Sequence, residues 1–165
     1  PFTRQSLARV TQLINKTNQF NLTTRRYSEA EVASLAANPG TIALQFRLVD
    51  RFGDNGVIPI LIGVLQGSEL VLDTWLMSCR VLGRGVELAT FGVLAEQARR
   101  LGAERLLGIY LPTPKNGMVK DHYSKLGFDE LEQLETGEAR WIFPLDRAIP
   151  EARFIQIGSE ATHAA

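Results

Sequence analysis

Apolar positions Leu7, Val10, Leu13 and Ile14 recur at helical spacing and predict an amphipathic helix over residues 3–14. Residues 20–27 (FNLTTRRY) read as a strand. Ser28, with Glu31 three positions on, is a capping-box start for a short helix that stops near Asn38-Pro39-Gly40. Residues 41–50 alternate loosely and run into the turn RFGDNG, residues 57–66 are almost wholly apolar, and Gly67-Ser68 leads into ELVLDTWLM. A loose alternation followed by a continuous apolar run predicts an antiparallel meander whose inner strand is covered on both faces.

A helix is expected from Gly85 to Leu101, with Arg99 and Arg100 in its last turn and Gly102 closing it. Residues 105–111 (RLLGIYL) form a second buried strand, 116–126 a short helix, and Gly127-Phe128 and 140–146 two more strands; the chain beyond Pro150 reads as a frayed tail. The element order β-α-β-β-β-α-β-α-β-β behind an extra leading helix is that of an α/β or α+β domain with a mixed sheet flanked by helices. One domain is expected over 1–150, with a leading helix at 1–15, a core at 20–146 and a tail at 151–165.

Composition narrows the chemistry. In 165 residues the 18 basic and 18 acidic side chains cancel, so no overall field draws the chain to nucleic acid or an acidic membrane. The single cysteine excludes an intramolecular disulfide framework and a multi-cysteine zinc site, and two histidines leave no histidine-rich centre, so no metal is expected. The longest apolar stretch, residues 57–65, is broken by Pro59 and Gly63 and falls short of a bilayer span. With no basic-then-apolar leader visible and Pro1 in first place, a cytoplasmic piece of a longer or processed chain is the expectation.

Two motifs carry chemistry. Arg80-Val81-Leu82-Gly83-Arg84-Gly85, an R-x-x-G-x-G run between a strand and a helix, lets backbone N–H groups approach an anion at a helix N-terminus, or makes a tight turn and nothing more. One strand later comes N-x6-Y-x3-GF, from Asn116 through Tyr123 to Gly127-Phe128. Together with the element order these resemble the GNAT acyl-CoA N-acyltransferase fold. That resemblance implies a phosphate-binding turn at residues 80–85 and a splayed strand pair, 69–77 and 105–111, holding a pantetheine arm. It also implies that Asn116 lies near the pantetheine and that Tyr123 is a general acid. Glu87 departs from the pattern by placing a negative charge in the first helical turn.

The strings KTNQFNLTTRRY (16–27), DRFGDNG (50–56), WLMSCRVLGRGVE (75–87) and PTPKN (112–116) resemble, more narrowly, the C-terminal region of FkbH-like proteins of polyketide pathways. The resemblance implies transfer of a glyceryl group from 1,3-bisphosphoglycerate to the phosphopantetheine thiol of an acyl carrier protein, with a HAD-type phosphatase portion as partner. No DxD phosphotransfer motif occurs in this sequence.

That chemistry nominates Cys79 as a thioester-forming nucleophile beside an arginine-glycine turn, against the alternative of a packed small hydrophobe. His122 reads as a base or, being one residue from an inward Tyr123 on a helix, as a solvated or partly packed side chain. Asn18, Gln19 and Asn21 form an amide cluster able to bind a hydroxyacyl group or to bond backbone. Asp73 orients a base or substrate hydroxyls, or sits on an outer face. Arg84, Arg99, Arg100, Lys115 and Lys120 are candidates for a basic mouth facing the carrier protein. Two other readings remain open: a CoA-dependent N-acetyltransferase acting on an amine, and a non-catalytic carrier-docking module of a HAD-type enzyme.

Overall fold

Alternating burial along three consecutive strands sets the frame. In β2 (Gly53–Gln66), Ile60 and Ile62 face one side and Leu61 the other, and all three are fully buried. β2 pairs antiparallel with β1 (Thr41–Asp50) and with β3 (Glu69–Met77). Ile60, Ile62 and Leu76 meet Val10 and Ile14 of α1 (Leu7–Lys16) and Val32 of α2 (Glu29–Ala37). The opposite side chains, among them Leu61, Leu70, Leu72 and Trp75, meet Phe91, Leu94 and Ala98 of α3 (Val86–Arg100). Helices on both faces explain the unbroken apolar run of β2. The computed structural model describes residues 1–81, 83–152 and 155–158, and the Ile58 side chain lies outside that description.

The sheet is completed by β4 (Arg105–Tyr110), parallel to β3, and by β6 (Ala139–Pro144) and β5 (Asp129–Gln133), in the order β1-β2-β3-β4-β6-β5. β4 pairs with β6 along its whole length, Arg105 opposite Pro144 through Tyr110 opposite Ala139. With β3 it pairs only over four positions, ending at Leu72 opposite Gly108. The parting has a local cause. Ile62 lies opposite Thr74 and Gly63 opposite Leu72, so Asp73 is an extra residue in β3. A bulge of this kind bends its strand and increases the local twist, and here it turns β3 away from β4.

Gly108, at the point of parting, has a second role. A Cβ there would stand 2.7–2.8 Å from the Tyr123 ring of α4 (His122–Lys125). Gly108→Ala is therefore expected to destabilise the fold by about 2 kcal/mol through overpacking, lowering the melting temperature by roughly 4–8 °C. An unshifted thermal midpoint would show that Tyr123 does not need this seat.

Several sequence expectations shift. The leading helix begins at Leu7 because Thr3 and Ser6 exchange side-chain and backbone hydrogen bonds in a turn before it. The capping box of α2 is present, Ser28 Oγ accepting from Glu31 N–H at 3.2 Å and Glu31 Oε2 from Ser28 N–H at 2.7 Å. Residues 20–27 are not a strand: they touch the sheet through an isolated bridge, Asn21 opposite Leu76, and are then reversed at Thr24, whose φ is +52°. The helix expected over 116–126 is split into a 3-10 turn, Gly117–Val119, and the single turn α4. Of the expected frayed tail, 153–154 and 159–165 lie outside the described residues. Ile155 packs on the core beside Gly85.

Candidate functional site

The ends of β3 and β4 part at Asp73, and the chain between α1 and α2 enters the gap. Leu22 N–H donates to Trp75 O at 3.0 Å and Met77 N–H to Phe20 O at 3.1 Å; from the other strand Leu111 N–H donates to Leu22 O at 2.9 Å. The Thr23 hydroxyl donates to Asp73 O at 2.8 Å. Asn116, buried, donates through Nδ2 to Asn21 O and to Leu111 O, both at 2.9 Å, and accepts through Oδ1 from Thr113 N–H at 2.7 Å. Asn21, also buried, accepts from Thr24 N–H at 2.9 Å and donates to Thr17 O at 3.1 Å. Both amides expected at a ligand thus bind backbone.

Asp73 is likewise committed. Its carboxylate accepts from the Arg25 guanidinium, from the Tyr27 hydroxyl at 2.7 Å and from the Thr74 hydroxyl at 3.0 Å. Burial, reinforced by the adjacent Asp73 charge, pushes the Tyr27 phenol up to about 12. The carboxylate clamps the α1–α2 segment onto the bulge instead of facing an outer surface or a substrate. Arg25 and Tyr27 lie 48 and 46 residues from it in sequence. The signal present in the sequence is a carboxylate in the middle of an apolar strand.

Outward of this plug lies a cleft of about 730 Å³ at the C-terminal end of β3. Cys79 is exposed there, at the start of the 3-10 turn Cys79–Val81, and its thiol donates to Gln19 Oε1 at 3.4 Å. Asn18 and Gln19 line the same cleft, with Lys16 and Lys115. The structure therefore gathers Cys79, Asn18, Gln19 and Lys115, four of the residues nominated by sequence. It adds Lys16, which the leading-helix expectation ended too early to reach. Neither lysine is paired with a carboxylate among the described residues. The wider basic mouth does not form: Arg99 donates to Leu145 O and Arg147 O, Arg100 pairs with Glu96, and Arg84 pairs with Asp50 at 2.6 Å.

The arginine-glycine turn has the backbone form expected of it. Gly83 and Gly85 take φ of +74° and +78°, conformations that suit glycine, and Gly85 caps α3. Arg80 is exposed and Val81 is buried in the core; Leu82 lies outside the described residues. The Arg84 guanidinium is spent on Asp50, whose carboxyl it holds below its ordinary range, with help from Phe52 N–H. Ile155 lies 3.5 Å from where a Gly85 Cβ would stand, and Glu87 occupies the first turn of α3. As folded, then, the inter-strand gap is filled and the turn is partly committed.

His122 and Tyr123 both point inward, which corrects the expectation of a solvated or partly packed His122. α4 is one turn wedged between sheet and plug, so both neighbours are enclosed. The His122 ring stands edge-on to Trp75 at 4.5 Å and to Phe20 at 5.2 Å, with Tyr123 at 5.3 Å. Burial, with a smaller contribution from the Lys125 charge, pushes the His122 imidazole down to about 3. Burial raises the Tyr123 phenol. A histidine neutral in the fold but titrating near 6.5 when unfolded binds more protons in the unfolded state. Stability is then expected to fall as pH drops from about 6.5 toward 3, by as much as about 1.4 kcal/mol per unit. Urea melts of wild type and His122→Leu at stepped pH test this. Equal slopes would remove His122 as the titrating group.

Among the described residues no group of three His, Cys, Asp or Glu side chains is placed to hold a metal ion, and no helix is long and apolar enough to cross a membrane. Neither a family model nor a curated protein matches this chain. Solved structures do. The chain is similar to the GNAT domain of S. lividans PAT, at 20% identity over 87% of this chain and 88% of that one, with a TM-score of 0.66. It is similar to the ribosomal-protein-S18-alanine N-acetyltransferase from Escherichia coli, at 15% identity over 94% and 96%, TM-score 0.60. It is also similar to spermidine N-acetyltransferase from Vibrio cholerae in complex with CoA and spermine, at 12% identity over 88% and 93%, TM-score 0.62. At these identities the likeness establishes the fold, which is the GNAT fold.

Proposed function

We propose that this GNAT-fold chain is an acyltransferase domain that passes a short acyl group through Cys79 to the phosphopantetheine thiol of an acyl carrier protein. The group is D-glyceryl derived from 1,3-bisphosphoglycerate, and the setting is polyketide biosynthesis in the cytoplasm. The reading rests on the FkbH-like strings, and one observation supports it above the others: Cys79 is exposed in a cleft shared with Asn18 and Gln19 and flanked by Lys16 and Lys115. The amides suit the hydroxyls of a glyceryl group and the ammonium groups suit a leaving phosphate.

In this scheme the Cys79 thiolate attacks the carbonyl carbon of the acyl phosphate, the bond from that carbon to the bridging oxygen breaks, and inorganic phosphate leaves with that oxygen. A HAD-type phosphatase domain hydrolyses the remaining phosphate ester with water, leaving the hydroxyl of the glyceryl group and a second inorganic phosphate. The carrier's thiol then attacks the thioester, its proton passing to the Cys79 sulfur as that bond breaks. Gln19 Oε1, already the acceptor of the thiol proton, positions the sulfur.

Intact-protein mass spectrometry after incubation with the acyl phosphate, with a HAD-type partner supplied, tests the proposal. The expected result is a glyceryl adduct on wild type and none on Cys79→Ala. An adduct that persists in Cys79→Ala discards the thioester route. Carrier binding with no adduct on either protein favours the docking-module reading. A CoA-dependent N-acetyltransferase is the second enzymatic reading, supported by the Gly83–Gly85 turn at the start of α3. It predicts acetyl-CoA turnover on an amine that is indifferent to Cys79.

A further inference from the structure

The first strand pair runs on past the rest of the sheet. β3 pairs with β2 from Gln66 to Pro59, where Met77 is its last partner. Beyond that point β1 and β2 pair with each other alone, Arg47 opposite Val57, Val49 opposite Asp54 and Asp50 opposite Gly53, with register irregularities on both sides of Arg47. Irregularities of that kind raise the twist of a strand pair, and residues 47–57 form an arm that continues beyond the sheet. It carries Phe52, 84% exposed, and Val49, 69% exposed, the two most exposed large apolar side chains among the described residues. The Arg51 guanidinium lies over the Phe52 ring at 4.7 Å. Exposed apolar side chains scattered singly need no explanation, but two on one projecting tip mark a contact surface.

Place and charge together indicate what covers the tip. The arm starts at the wall of the Cys79 cleft, where Val57 is a lining residue. Five residues of strand lead from Val57 to Phe52, about 16 Å. Asp50 pairs with Arg84 at 2.6 Å, which pins the arm to the loop that Cys79 and Arg80 begin. The carboxylates of the arm are thereby spent, Asp50 on Arg84 and Asp54 on Arg47. Arg51 and Arg80 are exposed and have no carboxylate partner among the described residues, and the same holds for Lys16 and Lys115 in the cleft wall. Against these four cations stands Glu87, in the first turn of α3. A surface with an apolar tip and a cationic rim is matched by an apolar depression rimmed with carboxylates.

We infer that the β1–β2 arm is the docking surface for the acyl carrier protein. Phe52 and Val49 enter an apolar depression on the carrier, and the carboxylates around that depression meet Arg51 and Arg80. Lys16 and Lys115 draw the same acidic surface over the cleft. A carrier body seated on the tip stands beside the mouth of the cleft, and its thiol reaches Cys79 from there. Naming the carrier as the partner rests on the acyl-transfer reading; the match to an acidic protein surface rests on Phe52, Val49 and the four cations. The apolar pair sets how long the carrier stays, and the rim charges set how fast it arrives.

Titration of the full chain with the holo carrier protein that serves as acceptor in the transfer assay, repeated over a salt series, tests the inference. Wild type is expected to bind, with an affinity that falls as salt rises. Phe52→Ser is expected to weaken binding by more than about tenfold at every salt concentration. Arg51→Glu is expected to weaken it by about tenfold at low salt, mostly through slower association, and little at high salt. Leu131→Ser removes an apolar side chain that is 55% exposed on β5, at the far edge of the sheet, and is expected to change nothing. All three side chains are exposed, so each variant should keep the wild-type thermal midpoint. Phe52→Ser that binds the carrier as wild type does overturns the docking surface, as does an equal loss in Leu131→Ser. Sedimentation in which wild type pairs with itself and Phe52→Ser does not assigns the tip to a second copy of the chain, and also overturns it. Acyl transfer through Cys79 with carrier binding indifferent to Phe52 and Arg51 keeps the acyl-transfer reading and discards the docking surface. Carrier binding that depends on Phe52, with no adduct ever formed on Cys79, keeps the docking surface and discards that reading.

Discussion

Cys79→Ser is expected to lower transfer of the acyl group to the carrier thiol by more than about 10⁴-fold, a loss of the size seen when a covalent nucleophile is removed. Serine keeps the shape and the contact with Gln19, but its hydroxyl is a far weaker nucleophile than sulfur toward an acyl group. The fold should not notice the change: the side chain is exposed, on a 3-10 turn, and its one partner among the described residues is an exposed amide. Exposed substitutions of this kind stay within about 0.5 kcal/mol. Single-turnover transfer, with the carrier protein analysed by mass, separates the two outcomes. An unaltered thermal midpoint with transfer abolished is the expected pair of results. Undiminished transfer in Cys79→Ser would reduce the residue to part of the cleft wall. Gln19→Ala belongs beside it as a milder change, since it removes a positioning contact and no reacting atom.

What could be read from the sequence was whatever is settled by neighbours in the chain. Ser28 and Glu31 fix the start of α2 with each other, the Gly67-Ser68 turn closes β2 onto β3, and the apolar run at Ile60–Ile62 has only one sheet position that suits it. The errors sit where distant residues decide. FNLTTRRY has the composition of a strand, yet its backbone is claimed by Trp75 and Leu111, more than fifty positions away, and by the side chain of Asn116, 95 positions away. Cys79 and Gln19 are 60 residues apart, so nothing local in the chain indicates that they meet. A helix over 116–126 would be long enough to give His122 a wet side, whereas α4 is a single enclosed turn. Gly108 does carry a local signal: a glycine inside an apolar strand marks close approach of another group, here the Tyr123 ring.

Asp73→Ala is expected to give the largest loss of stability of any polar substitution in the site, about 3 kcal/mol, lowering the melting temperature by roughly 6–12 °C. The carboxylate is 11% exposed and accepts from a guanidinium and two hydroxyls, so its removal leaves Arg25, Tyr27 and Thr74 without an acceptor at once. Arg25 is 38% exposed and recovers part of its loss from water, which keeps the figure at the lower end for a broken buried pair. The extra residue in β3 remains, so the strands still part; what goes is the clamp that holds the α1–α2 segment on them. Two further measurements identify that cause. Asp73→Asn retains an acceptor for the Tyr27 hydroxyl and should cost less than the alanine. With the carboxylate gone, the Tyr27 phenol should also titrate below its present value of about 12, though still above an ordinary tyrosine because burial is the larger influence. In wild type the same raised phenol makes stability fall as pH climbs from about 10 toward 12, since the unfolded chain loses that proton first. In Asp73→Ala this alkaline fall should be shallower. If the alanine variant melts with wild type and its tyrosine titration is unmoved, the clamp contributes nothing, and the plug is seated by its backbone bonds alone.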